Sequence, residues 1–91
     1  MKKLRYQDTS GNEIIVNVHY PEQLIAKDVT DIHTGDTEYI VCFCEDGMET
    51  EVVRFKDKND RDYQLDLNKR YITSQAGVWL EFRPRPIFKR S

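Results

Sequence analysis

Three stretches of this chain alternate apolar and polar side chains with a period of two. Their apolar members are Ile14, Val16, Val18 and Tyr20 in the first, Tyr63, Leu65 and Leu67 in the second, and Val78, Leu80 and Phe82 in the third. Successive side chains of a strand point to opposite faces, so each stretch predicts a strand with one face in a core and one toward water. The pattern constrains the fold strongly but indicates no chemistry.

Turn-forming residues separate these and other apolar runs and indicate a chain of short antiparallel strands. The predicted strands are residues 3–7, 13–20, 38–45, 48–55, 63–67 and 78–83, with shorter candidates at 29–33 and 71–73. Residues 21–27 start with a proline suited to a first helical turn, and they fit either a short helix or an extended connection. The charged residues 56–62 contain no apolar side chain and predict a solvated turn.

The clearest hairpin pairs residues 38–45 with residues 48–55 around the dipeptide Asp46-Gly47, which suits a two-residue turn. The turn predicts the register of the two strands. The expected pairs are Cys44 with Glu49, Phe43 with Thr50, Cys42 with Glu51, Val41 with Val52, Ile40 with Val53 and Tyr39 with Arg54. Both faces are apolar near the base of this hairpin, which favours a curved sheet or small barrel over a flat sheet with one wet face.

With 91 residues, the chain has the length of one small domain. We expect an all-β or mainly β fold: a small antiparallel, five- to seven-stranded, partly open barrel or sandwich with at most one short helix. Residues 1–83 are predicted to form this single domain. Residues 84–91 are predicted to be a basic, proline-containing tail that leaves the sheet, because Arg83 and Arg85 each precede a proline and are biased toward extended backbone.

Soft metal ligands are few, and their spacing does not fit a zinc site. Cys42 and Cys44 are one residue apart on a predicted strand, whereas structural zinc sites usually carry pairs at C-x₂₋₄-C spacing. A reactive thiolate is also disfavoured, because the expected neighbours Glu49 and Glu51 would raise the thiol pKa. The absence of a straightforward disulfide between the two cysteines favours a reducing, cytoplasmic location.

Other chemical signatures are also missing. The acidic residues between Asp28 and Glu38 are interpreted as hydrated turn carboxylates. Residues 57–62 begin like a calcium loop but have aspartate where that loop requires glycine. No G-x-S-x-G elbow, phosphate loop or dinucleotide motif occurs. We therefore expect no enzyme, no catalytic residue, no metal and no cofactor, and no apolar run long enough to cross a membrane.

Charge is segregated although the net charge is only −2. Basic residues without acids lie at the two ends: Lys2, Lys3, Arg5, Arg83, Arg85, Lys89 and Arg90. Chain termini often lie close together, so these groups are expected to share one edge. Trp79 is predicted on the same side as Arg83 and is either exposed beside these bases or covered by a second small core.

A second candidate surface is the acidic stretch of residues 28–53, which contains no lysine or arginine. Its acids are Asp28, Asp31, Asp36 and Glu38 and, at the tip of the 38–55 hairpin, Glu45, Asp46, Glu49 and Glu51. Complementary charge speeds the association of protein partners. The leading hypothesis is therefore a non-enzymatic interaction module that binds a protein partner through charged surfaces. The alternative is a nucleic-acid-binding small barrel that uses the basic termini and Trp79.

Overall fold

The computed structural model describes residues 1–84 and shows a mainly β domain with one long helix. Its elements are β1 (Lys2–Gln7), β2 (Glu13–Val18), a 3-10 turn (Pro21–Gln23), β3 (Leu24–Thr30), β4 (Thr37–Glu45), β5 (Met48–Phe55) and α1 (Lys58–Ile72). β1 pairs with β2, and β3, β4 and β5 form an antiparallel sheet in that order. The mainly β prediction is confirmed, but the five strands in this part of the chain form two sheets that do not close into a barrel.

The two predicted hairpins are present, and the register of the second is correct only near its turn. Asp46 and Gly47 both have positive φ, at 52° and 78°, as their turn type requires. Beyond Cys42 the predicted register is wrong by one residue, because a β-bulge makes Val41 pair with Val53 and leaves Val52 as an extra residue. The bulge lets Val52 and Val53 both pack against the core, which strict alternation would forbid.

The predicted strands at 63–67 and 71–73 are wrong, because residues 63–72 belong to α1 and Thr73 is its C-cap. Leu65, Asn68 and Ile72 are buried on one face at helical spacing. Asp57 caps the helix by accepting a hydrogen bond from the Asp60 backbone N–H at 3.0 Å, so the predicted solvated turn is wrong from residue 58 onward. The helix α1 has fifteen residues, so the prediction of at most one short helix is wrong in the length of the helix.

The predicted strand at 78–83 is reduced to a single parallel bridge between Lys3 and Trp79. The residues after it are held by side chains of α1. The Asn68 amide nitrogen donates to the Glu81 carbonyl oxygen at 2.8 Å, and its amide oxygen accepts from the Glu81 N–H at 3.0 Å. Gln64, one turn earlier, makes the same two bonds with the backbone of Arg83. The two amides, four residues apart on α1, thus satisfy the backbone N–H and C=O groups that a neighbouring strand would otherwise bind.

The region before β4 also differs from its prediction. Residues 21–27 contain one 3-10 turn, at Pro21–Gln23, and β3 begins directly after it at Leu24. The predicted strand at 29–33 therefore overlaps β3 only at residues 29 and 30. The second strand ends at Val18, two residues before Tyr20. Of the predicted tail, residues 85–91 lie outside the described part of the chain.

A single cluster of buried side chains joins both sheets, α1 and the 79–84 segment. Its members are Leu4, Val18, Leu24, Val41, Phe43, Phe55, Leu65, Ile72 and Leu80. Leu65 and Leu80 are only 7% and 5% exposed, so two of the three alternating stretches do bury their central residue. Arg61 is also buried, where it donates to the Lys27 carbonyl oxygen and to Asp28 and so ties α1 to β3.

We expect Asn68→Ala to destabilise the fold by about 1–3 kcal/mol, since it leaves the backbone N–H and C=O of Glu81 without their partner. Urea unfolding of the purified domain measures this change. Asn59→Ala is the matched control, because Asn59 is exposed on the same helix. Equal midpoints for the two variants would show that the amide pairing contributes nothing.

Candidate functional site

The structure brings the amino-terminal strand and Trp79 together on one face. The Lys3 N–H donates to the Val78 carbonyl oxygen at 2.8 Å, and the Leu80 N–H donates to the Lys3 carbonyl oxygen at 2.8 Å. The Arg5 guanidinium carbon lies 4.6 Å from the centroid of the Trp79 ring, within the range of a cation–π contact. Trp79 is 44% exposed, so no second core covers it within residues 1–84.

Two of the predicted basic residues on this face are already paired with acids. The Arg5 Nε atom lies 2.8 Å from a Glu13 carboxylate oxygen, and an Arg83 nitrogen lies 2.7 Å from a Glu81 carboxylate oxygen. Lys3 is exposed and forms no ion pair with another described residue. The positive charge available here is therefore much smaller than the sequence suggests. Three other predicted basic residues lie outside the described residues: Arg85, Lys89 and Arg90.

Lys2 is the exception among the predicted binding residues, because it is buried at 3% exposure. Its ammonium donates to the carbonyl oxygens of Ala76 and Gly77 at 2.7 and 2.9 Å, and it lies 4.3 Å from the centroid of the Tyr71 ring. Gly77 has a φ of 71°, and a Cβ there would lie 1.8 Å from the Tyr71 hydroxyl oxygen. Lys2 thus anchors the loop that leads to Trp79, and we leave it out of the candidate surface.

A groove that the sequence did not reveal lies between α1 and the segment that carries Trp79. It has a volume of about 730 Å³, and its walls include Tyr63, Leu67 and Tyr71 from the helix together with Trp79. Tyr63 and Leu67 are 60% and 45% exposed, so these two members of the second apolar stripe of α1 lie outside the core, whereas Tyr71 packs partly against it. The four-residue spacing of Tyr63, Leu67 and Tyr71 indicates one face of a helix, but the sequence analysis assigned these residues to two predicted strands.

Trp79 lines this groove and also lies against Arg5, so it joins the helix stripe to the amino-terminal strand. We call this part of the molecule the Trp79 surface, and it consists of Arg5, Tyr63, Leu67, Tyr71 and Trp79. Four of these five residues are arginine, tyrosine or tryptophan, the residue types enriched at the energetic centres of protein interfaces.

The predicted acidic tip is partly neutralised by cations from outside it. Glu49 is hydrogen-bonded to Lys27 of β3, and this contact raises the pKa of Lys27. Glu51 lies 2.6 Å from an Arg54 nitrogen. Glu45 and Asp46 are exposed at the turn and form no ion pair within residues 1–84.

The remaining acids before β4 do not extend this tip. The loop of residues 31–36, which contains Asp31 and Asp36, precedes β4, whereas the tip follows it. A nine-residue strand is about 30 Å long, so the two acidic regions lie at opposite ends of the sheet. The acidic stretch seen in the sequence is therefore not one surface.

Both cysteines are free and lie on the same face of β4. Burial raises the pKa of the Cys42 thiol, and Glu49 and Glu51 add to this increase. The sequence predicted the direction from the glutamates, but desolvation is the larger cause. In the described part of the chain, no group of three or more potential ligands among histidine, cysteine and carboxylate side chains is placed to hold a metal ion.

No helix within residues 1–84 is both long enough and apolar enough to span a membrane.

Alkylation with iodoacetamide should modify Cys44 before Cys42 in the folded protein, because Cys42 is buried and Cys44 is partly exposed. The rate at Cys42 should keep rising with pH beyond the range in which an ordinary thiol ionises, because burial raises the pKa of the Cys42 thiol. Peptide mass spectrometry measures both rates, and labelling in urea, where the two should converge, is the control. Faster labelling of Cys42 than of Cys44 near neutral pH would contradict this assignment.

Comparisons with protein-family models, with curated proteins and with solved structures found no match for this chain.

Proposed function

We propose that this domain is a non-enzymatic interaction module that binds a protein partner through the Trp79 surface. The observation that carries the proposal is the exposure of Trp79, Tyr63 and Leu67 around one groove. Contiguous exposed aromatic and aliphatic groups on a small domain mark interaction sites. A groove among them can bury an anchor side chain of the partner and exclude water from the contact.

The charge arrangement favours a protein partner over nucleic acid. Phosphate binding requires cations that are free to exchange small counterions for phosphates. Arg5 and Arg83 each have a carboxylate within 2.8 Å, so among the described basic residues on this face only Lys3 is free to contact phosphate. An apolar centre with a polar rim is typical of protein interfaces.

Nucleic-acid binding is the second candidate, and the juxtaposition of Lys3, Arg5 and Trp79 favours it. An aromatic ring beside a guanidinium can stack on a nucleobase while a neighbouring lysine contacts the backbone. This reading requires the Arg5–Glu13 ion pair to open on binding.

We expect Trp79→Ala to weaken binding of a protein partner by more than tenfold, as the loss of a hot-spot tryptophan of about 2 kcal/mol implies. The partner is first identified by chemical crosslinking to the wild-type domain and mass spectrometry, and its affinity is then measured with purified components by calorimetry. Ile32→Ala is the matched control, because Ile32 is 90% exposed in the 31–36 loop. Equal affinities for the two variants would reject the Trp79 surface.

An oligonucleotide titration at low and at moderate salt separates the two candidates. If the partner is a protein, single-stranded DNA or RNA should bind weakly and without dependence on Arg5. A steep salt dependence that flattens in Arg5→Ala would instead support the nucleic-acid candidate. Fluorescence anisotropy of a labelled oligonucleotide measures both.

A further inference from the structure

We propose that the chain forms a homodimer by antiparallel pairing of the outer edge of β2 with β2 of a second copy, with Ile15 facing Ile15. This inference is independent of the proposed function, since the β2 edge and Trp79 lie on opposite sides of β1.

The hydrogen-bond pattern shows which β2 groups face outward. The Asp8 N–H donates to the Asn12 carbonyl oxygen at 3.0 Å, so the even-numbered residues of this hairpin bond to each other. The odd-numbered ones point away, as the outward bonds of Lys3 to Val78 and Leu80 confirm. On β2, the outward N–H and C=O groups therefore belong to Glu13, Ile15 and Asn17. They have no hydrogen-bond partner in residues 1–84.

The other sheet edges carry the features that prevent strand pairing, whereas β2 lacks them. On β3, Arg61 occupies the Lys27 carbonyl oxygen at 2.9 Å, and the strand carries charges at its centre. β5 has the bulge at Val52 and several charged side chains.

The outer side of β1 is occupied by the segment that carries Trp79. β2 has the sequence Glu-Ile-Ile-Val-Asn-Val, without proline, lysine or a bulge, and its central Ile15 is 51% exposed.

The β2 sequence is complementary to itself in one register. A two-fold axis perpendicular to the sheet pairs Ile15 with Ile15 and Glu13 with Asn17, all of which are outward-bonding residues. No like charges then face each other. On the core side, half-buried Ile14 and Val16 of one copy face Val16 and Ile14 of the other. Two exposed isoleucines and four half-buried side chains thus lose solvent contact together.

Sedimentation velocity of the full chain across a wide range of concentrations tests this proposal. Wild type is expected to shift from monomer to dimer as concentration rises. Ile15→Lys and Ile15→Glu should each lose the dimer, because like charges then face each other across the axis. An equimolar mixture of the two variants should recover it as a heterodimer, which also shows that both variants fold.

Val29→Lys is the matched control, since Val29 is 41% exposed near the end of β3, one of the outer strands of the three-stranded sheet. It should dimerise like wild type, as should Trp79→Ala. Wild type that stays monomeric, or a Lys and Glu mixture that stays monomeric, would overturn the proposal. Loss of the dimer in Val29→Lys would also overturn it, because association would then use β3 instead.

Discussion

The pairing of Gln64 and Asn68 with the backbone of residues 81 and 83 is the contact on which the rest of this architecture depends. It fixes an extended segment against a helix instead of a sheet. That segment in turn supplies Leu80 to the core and satisfies the outward groups of Lys3. Together with the bonds that Lys2 and Lys3 make to residues 76–80, this pair of side-chain amides holds Trp79 in place, covers one edge of β1 and completes part of the hydrophobic core.

Local signals predicted those elements whose geometry depends on a few neighbouring residues. Asp46-Gly47 specified the turn and the first pairs of its hairpin, because positive φ at two positions leaves few alternatives. The bulge at Val52 was not predictable in the same way. It exists because two consecutive valines can both reach the core, which is a property of tertiary packing.

The helix was missed because the alternation of Tyr63, Leu65 and Leu67 fits a strand, although Tyr63 and Leu67 are also four residues apart, as on one face of a helix. In a strand all three would share a face, but in α1 they separate, with Leu65 inside and the other two exposed. Helical spacing continues through Asn68 and Ile72, whereas strand alternation stops at Leu67. The polar residue Asn68 in the buried stripe concealed this pattern, and its amide function becomes clear only from the segment that it binds.

Charge was the property that sequence reasoning represented least well. Residues near each other in sequence were counted as free, yet Glu49 finds Lys27 across the sheet, and Lys2 lies inside the domain. Such pairs depend on strand order, which no local pattern supplies. The predicted proximity of the first strand to Trp79 is nonetheless present, because it rests on a general property of small folds.

The amide ladder on α1 has one more consequence. Primary carboxamides carry no acid or base function in the range that proteins experience, so their attachment to the 81–84 backbone is indifferent to acidification. These hydrogen bonds also involve no formal charge, unlike the contact between Asp28 and Arg61 on the side of the helix that faces β3. The segment that carries Trp79 is therefore attached to α1 by contacts that dissolved salt does not screen.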